Sequence, residues 1–197
     1  MANNMTEEKT VQPYEIGELD QYLFGNGTHY ELYKKMGAHL VTVDGVKGVY
    51  FAVWAPHAKS VSVIGEFNEW DLNADLMQRH DPMGIYTKFI PDAKEGQLYK
   101  FCIETQNGAK IDKADPFANY AELRPGNASR ITDISNLKWS DSSWMKKREK
   151  WDEKTNPMSI YEVHMGSWMR HPGREDEGFY TYREFAERIT EYVKDMG

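Results

Sequence analysis

One tryptophan in a turn is the side chain of this sequence best suited to hold a ligand. Trp70 lies between Glu69 and Asp71 in the run Gly65–Asp71, which predicts the end of a strand followed by a turn of short polar residues. A flat indole in such a turn can cover the edge of a β-core. It can equally be a platform for a neutral hydroxylated ring, because the indole packs on the apolar face of the ring while neighbouring polar groups bind its hydroxyls.

The elements that must position Trp70 are predicted as short strands. Apolar residues alternate with polar ones on both sides of the hairpin signal Asp44–Gly45, and turn residues separate the later runs. Strands are expected over residues 41–43, 49–54, 60–63, 85–90, 97–104 and 129–132. This spacing predicts a mainly β fold, an antiparallel immunoglobulin-like β-sandwich over residues 38–135.

The run 97–104 also predicts which way its side chains point. Successive residues of a strand face opposite sides of the sheet. The apolar set is the natural core face, and it comprises Tyr99, Phe101 and Ile103. The other set faces outward and comprises Lys100, Cys102 and Glu104. Lys100 is therefore a second candidate for binding a polar ligand.

The region before the sandwich, residues 1–37, is predicted to be an extension with one short helix. Thr28 can cap that helix, since Glu31 stands at the capping-box position three residues later, and Gly37 can end it. Residues 1–12 are polar and are expected to be loosely attached. Residues 136–157 lose the alternation of the sandwich and are predicted to be a connector.

The tail, residues 158–197, predicts a different architecture. Residues 158–165 predict a strand, residues 166–180 a loop, and Thr181 with Glu184 a capped helix that continues to Gly197. One β/α unit cannot close a core by itself, because a parallel strand needs neighbours and the helix needs a sheet to cover. The tail is thus expected to be the incomplete start of a larger α/β unit.

Composition narrows the possible partners. The net charge of −7 argues against nucleic acid and anionic membranes, and no apolar run approaches membrane-spanning length. A single cysteine and a polar amino terminus without the apolar core of a signal peptide predict a cytoplasmic protein. Three of the histidines, His29, His80 and His171, show no metal-ligand spacing, so no metal site is expected.

Seven motifs in the same order resemble the amino-terminal part of glycogen (1,4-α-glucan) branching enzymes of the α-amylase superfamily. They are residues 24–30, 36–39, 51–56, 61–71, 98–101, 113–117 and 160–168. The resemblance implies a glycogen-binding-like sandwich, followed at residues 158–197 by the incomplete start of a catalytic (β/α)8 barrel. It implies cleavage of α-1,4-glucan and its transfer to an α-1,6 link, without metal or organic cofactor. The catalytic carboxylates of that family lie on later barrel strands, so this chain carries no catalytic residue and is expected to be inactive alone.

The same resemblance implies the site residues. In similar modules the tryptophan corresponding to Trp70 stacks on a glucose ring and the lysine corresponding to Lys100 reaches sugar hydroxyls. Asn107 is the third carbohydrate-binding candidate, in the turn where binding modules often carry Asp-Gly-x-Trp. Here Lys110 stands in place of that second tryptophan. A lost stacking surface costs on the order of 1 kcal/mol, so binding of α-1,4-glucan or glycogen is expected to be weak.

Two alternatives remain open at this point. The chain could be a non-catalytic glucan-binding module like those of regulatory kinase subunits, although the β/α unit at residues 158–197 would then have no use. It could also be the leading part of an isoamylase-type debranching enzyme or a maltooligosyltrehalose hydrolase. Residues 162–168 and 36–39 are more similar to branching enzymes.

Overall fold

A computed structural model describes residues 12–174 and 178–197 and divides the chain into two compact units. The first unit extends to Lys138 and the second covers Trp139–Gly197. The expectation of loose attachment at residues 1–12 falls almost entirely outside the described residues. The predicted domain boundaries at residues 37, 135 and 157 stay predictions.

The first unit contains two antiparallel sheets. The first sheet has the strand order β1-β2-β5-β4, from β1 (Gly37–Val43), β2 (Val46–Trp54), β4 (Gln78–His80) and β5 (Ile85–Pro91). The second sheet has the order β3-β6-β9-β8, with β7 also paired to β6. Its strands are β3 (Ser60–Gly65), β6 (Leu98–Glu104), β7 (Lys110–Lys113), β8 (Tyr120–Ala121) and β9 (Ser129–Arg130). The prediction of a mainly β sandwich is confirmed.

Alternation sets the registers of these sheets. The turn between β1 and β2 consists of Asp44 and Gly45, which both have positive φ (49° and 80°). This two-residue turn pairs Val43 with Val46. In the second sheet, Val63 of β3 pairs with Phe101 of β6. A slip of one residue would move these apolar side chains to the outer face.

The core lies between the two sheets. Phe51 of the first sheet and Tyr99 of the second are fully buried, and their ring centroids lie 5.1 Å apart in an edge-on arrangement. Phe101 is also fully buried and Ile103 packs against the same cluster, so the predicted inner face of β6 is confirmed. Edge-on aromatic pairs stabilise a core by about 0.5–1.5 kcal/mol beyond the area they bury.

The outer face of the first sheet is also covered. Helix α1 (Glu18–Gly25) and the segments beside it bring Ile16 and Met36 against Tyr50 of β2. The predicted helix after Thr28 is wrong, because residues 32–34 form only a 3₁₀ turn and Thr28 caps nothing there. The observed helix starts earlier, where Asp20 accepts a hydrogen bond of 2.8 Å from the Gly17 backbone N–H.

The second unit contains three helices, α2 (Ser142–Arg148), α3 (Met165–Trp168) and α4 (Tyr182–Met196). The predicted cap of α4 is confirmed, since the Glu184 backbone N–H donates to Thr181 Oγ1 at 3.3 Å. The predicted strand at residues 158–165 is wrong, because residues 157–164 form no ladder with any described segment and Met165 already begins α3. A strand needs a hydrogen-bonded neighbour. The (β/α)8 barrel unit remains a prediction.

None of the helices within residues 12–174 and 178–197 combines the length and apolar character needed to cross a membrane.

Candidate functional site

The turn that carries Trp70 is built at the end of β3. A 3₁₀ turn over Glu66–Asn68 leads into Glu69 and Trp70, which both have positive φ (53° and 61°). The Trp70 backbone N–H donates to the Gly65 carbonyl at 2.9 Å and closes the turn. Trp70 is 37% exposed, so the residue is partly buried and partly open to solvent.

Asn68 holds this turn together. Its side-chain oxygen accepts a hydrogen bond from the Gly65 backbone N–H at 2.9 Å. Its amide group donates to the Val63 carbonyl at 3.0 Å and to Asp75 at 2.7 Å. An amide is suited to this position because it can donate and accept at once. Asn68 therefore fixes the direction in which Trp70 leaves the sheet.

Gly65 is required where β3 passes close to β6. A Cβ atom at this position would lie 2.4 Å from the Leu98 carbonyl oxygen and 2.8 Å from the Phe67 ring. The carboxylate of Glu66 accepts from the Leu98 backbone N–H at 2.9 Å and ties the turn to β6. The close approach explains the glycine that precedes the Trp70 turn.

Lys100 lies at the same end of the second sheet as Trp70. Lys100 pairs with Ile64 and Tyr99 pairs with Gly65, whose carbonyl receives the Trp70 N–H. Since Tyr99 and Phe101 face the core, Lys100 faces the outer side, as predicted. Among the described residues, the Lys100 ammonium forms no ion pair or hydrogen bond, so it can bind an added hydroxyl.

Asn107 lies at the opposite end of β6. Its side-chain oxygen accepts from the Thr105 hydroxyl and, at 3.3 Å, from the Ala109 backbone N–H, which holds the β6–β7 turn. Four residues of strand, or ~14 Å, separate Lys100 from Glu104, the last residue before that turn. The structure therefore brings Trp70 and Lys100 to one end of the sheet and places Asn107 at the other.

A cavity of about 240 Å³ lies on the outer face, near the end of β6 that carries the Asn107 turn. Its lining combines hydroxyl, amide, carboxylate and ammonium groups with two leucines and a thiol, from Ser60, Ser62, Leu72, Asn73, Leu76, Cys102, Glu104 and Lys110. The Lys110 ammonium donates to Asn73 Oδ1 at 2.8 Å. The residue that replaces the second aromatic platform thus forms a polar side of this cavity.

The charges of the cavity are partly compensated. Glu104 accepts from the Lys59 ammonium at 2.6 Å and from the Ser60 hydroxyl at 2.8 Å. The Lys59 hydrogen bond, followed by that of Ser60, holds the pKa of Glu104 below its usual range. Burial raises the pKa of the Cys102 thiol, which therefore stays protonated and unreactive at neutral pH. The surface can bind a hydroxylated ligand by hydrogen bonds and apolar contact.

Sequence reasoning missed five polar residues of this cavity as candidates: Ser60, Ser62, Asn73, Glu104 and Lys110. Alternation along β6 already placed Glu104 on the outer face, and pairing with β3 would have added Ser60 and Ser62. Lys110 was recognised only as the residue in place of a tryptophan. Asn73 gave no signal, because it lies in an irregular loop whose path depends on the fold.

The buried carboxylate of Asp115 has a structural role. Asp115 accepts a hydrogen bond from the Tyr99 hydroxyl at 2.5 Å and from the Phe117 backbone N–H at 2.8 Å, and its own N–H donates to Ser129 at 2.8 Å. Burial raises the pKa of both Asp115 and Tyr99. In residues 12–174 and 178–197 no group of three or more histidine, cysteine or acidic side chains could hold a metal ion.

One protein-family model matches most of the sandwich. The family model Carbohydrate-binding module 48 (Isoamylase N-terminal domain) matches residues 35–118, which include Trp70, Lys100 and Asn107. Residues 35–118 form a family 48 carbohydrate-binding module. This module contains strands β1 to β7 and the cavity on its outer face, so the candidate site lies in the matched part of the chain.

The resemblance to branching enzymes is confirmed by curated relatives. The chain is 57% identical over 181 residues to the 1,4-alpha-glucan branching enzyme GlgB of Butyrivibrio fibrisolvens. This alignment covers 92% of this chain and 28% of that enzyme. It is 48% identical over 194 residues to the enzyme of the same name from Rhodopirellula baltica, covering 96% of this chain and 26% of that enzyme. The chain therefore spans about a quarter of the length of these relatives.

Among solved structures, the ligand-free PulA of Klebsiella pneumoniae is similar to half of this chain, with 23% identity, a TM-score of 0.41 and 10% of PulA covered. This likeness is too low to carry an inference about the chain.

Proposed function

We propose that this chain belongs to a protein that branches α-glucan, by cutting α-1,4-linked chains and rejoining them through α-1,6 links. The observation that carries the proposal is the 57% identity to a 1,4-alpha-glucan branching enzyme over 92% of the chain. In this proposal the 197 residues supply a glucan-binding module and not the catalytic carboxylates. Transfer with retention needs two enzyme carboxyl groups about 5–5.5 Å apart that flank the same glycosidic bond.

Within that function, the module binds α-1,4-glucan weakly at the outer face of the second sheet. The partly exposed indole of Trp70 stacks on one glucose ring, and the Lys100 ammonium at the same end of the sheet binds hydroxyls. Asn107, which lies at the far end, contributes only if the glucan chain extends along β6. The cavity near that far end adds groups that can donate and groups that can accept, as sugar hydroxyls require. A cytoplasmic location and the absence of nucleic acid and membrane partners remain predictions.

Mapping by NMR tests the binding surface. Addition of maltoheptaose to ¹⁵N-labelled chain should shift the amides of the turn at residues 65–71 and of residues 98–101, together with the indole N–H of Trp70. Lys100→Ala should reduce these shifts. The matched control is Lys47→Ala, which removes an exposed strand lysine from the first sheet. Shifts confined to the first sheet would refute the assigned surface.

A separate assay tests the branching proposal. The isolated chain should leave the iodine absorbance of amylose unchanged, since the catalytic carboxylates are absent in this account. A longer protein that contains this sequence and the remaining length of its relatives should lower that absorbance by introducing branches. If that longer protein only hydrolysed branch points, a debranching function would replace the proposal, whatever the module binds.

A further inference from the structure

A second cleft, in the second unit, has a different chemistry. It has a volume of about 280 Å³ and is lined by Trp144, Lys147, Arg148 and Trp151. Helix α2 carries the first three of these residues. Trp151 follows the helix, and its backbone N–H donates to the Arg148 carbonyl at 3.0 Å, so the chain continues to turn and brings the second indole to the cleft.

Every polar side-chain group in this lining is a hydrogen-bond donor. Lys147 offers an ammonium, Arg148 a guanidinium and each tryptophan an indole N–H, and none of them can accept. Glu149 and Asp152 are adjacent in sequence but do not line the cleft. Sugar hydroxyls donate as well as accept, so a neutral glucan would find no acceptor here. A ligand rich in acceptor oxygens, above all an anion, matches this set of hydrogen-bond donors.

The two tryptophans add a requirement for a flat ligand. Trp144 is 56% exposed and Trp151 is 43% exposed, which leaves large parts of both indoles without protein cover. No ring contact joins the two indoles in the described structure, and the cleft lies between them. The Arg148 guanidinium lies over the Trp144 ring, 5.5 Å from its centre, so a positive charge is held on one face of this indole and the other face can stack on a ligand.

We propose that this cleft binds a nucleotide, with the base stacked on the indoles and the phosphates bound by Lys147 and Arg148. Charge complementarity favours this occupant, because two cations and no anion line the cleft in a chain of net charge −7. Base stacking on an aromatic side chain and charge-assisted hydrogen bonds to phosphate are the two interactions that this lining can provide. The proposal is independent of glucan binding by the sandwich.

Titration of the full chain with ATP at low ionic strength, without magnesium, tests the proposal. Binding should quench tryptophan fluorescence, and calorimetry should give a single site. Trp144→Ala should weaken ATP binding at least about tenfold through the loss of stacking. The matched control Trp139→Ala, which removes a tryptophan outside the cleft that is 77% exposed, should leave the affinity unchanged.

Variants of two lysines in helix α2 distinguish a specific binding site from general charge attraction. Lys147→Gln should weaken binding about fivefold or more, whereas Lys146→Gln should have little effect, because Lys146 does not line the cleft. Equal losses in the two variants would overturn the proposal. Circular dichroism of each variant controls for folding.

Comparison of smaller probes separates the contributions of base and phosphate. Adenosine and inorganic phosphate should each bind more weakly than ATP, and salt should weaken the binding of ATP. Failure of ATP to bind, or displacement of ATP by maltoheptaose that depends on Trp144, would overturn the assignment to a nucleotide.

Discussion

The two units of this chain differ in how far their apolar side chains are covered. In the sandwich, Phe51, Tyr99 and Phe101 are fully buried between two sheets. In the second unit, α4 carries no buried residue, and Tyr182 and Met196 are 81% and 70% exposed. Both units have sequences with a clear apolar pattern. In the sandwich two sheets cover each other, whereas the described part of the second unit contains no named strand that α4 could cover.

The second unit also shows that a local sequence signal and a long-range one differ in whether the predicted structure forms. The cap of α4 forms as predicted because Thr181 and Glu184 are three residues apart. The predicted strand at residues 158–165 does not form because a ladder requires a neighbouring strand. Ile160 within that segment is 85% exposed. The local hydrogen bonds of the α4 cap therefore form, although residues 157–164 pair with no described strand.

The largest expected effect is the loss of a core ring from the sandwich. Phe51→Ala should lower the free energy of unfolding by about 3–5 kcal/mol, because it removes a fully buried ring and leaves a cavity. Tyr182→Ala in α4 should change it by no more than about 0.5 kcal/mol. Urea denaturation followed by far-UV circular dichroism measures both. Similar losses in the two variants would contradict the contrast between the units.

A smaller effect is expected at the Trp70 turn. Gly65→Ala should cost about 1–3 kcal/mol, since the added methyl group would press against the Leu98 carbonyl and the Phe67 ring. The matched control is Gly25→Ala, where a Cβ atom would meet nothing within 4 Å. Thermal unfolding of the two variants gives the comparison. A neutral Gly65→Ala variant would show that this turn can relax without strain.

The caps provide a third, more local test. Thr181→Ala should cost the second unit about 1 kcal/mol and reduce protection of the first turn of α4 against hydrogen exchange. Thr28→Ala should have a smaller effect, because the Thr28 hydroxyl makes only a long bond of 3.5 Å to the Leu23 carbonyl. A larger loss at Thr28 would mean that the 3₁₀ turn after it depends on a cap.

The smallest effect concerns pH. Hydrogen bonds from the Thr181 backbone N–H and hydroxyl hold the pKa of Glu184 below its ordinary value of 4.5. A lowered pKa in the folded state stabilises the α4 cap above that ordinary value, and this contribution is lost as the pH falls through the folded-state pKa. Exchange protection of α4 should thus decrease as the pH falls below that ordinary value, and Glu184→Gln should remove this dependence.

Much of the sandwich could be predicted because its signals are short-range. Alternation placed the strands at residues 60–63, 85–90 and 97–104 within about two residues of their observed positions. The helix α1 was missed because a glycine, Gly17, occupies its N-cap and gives no side-chain signal. Strand β4 was missed because its three residues are polar and gain their structure from pairing with β5.

The candidate site was predictable only in part. Trp70 and Lys100 were found from a turn motif and from strand alternation. Their closeness follows from the pairing of β3 with β6, which the sequence does not state. The distance of Asn107 from them has the same cause, and the hydrogen bond between Lys110 and Asn73 joins segments 37 residues apart.

Calorimetric titration of maltoheptaose into the chain and into Trp70→Ala tests the central claim most directly. The account predicts weak saturable binding to the chain that is lost or reduced about tenfold in the variant, because one stacking surface is removed. Equal binding by the two folded proteins, or no binding at millimolar sugar, would contradict the claim that Trp70 is a glucan platform and would leave it as a cover for the sandwich edge.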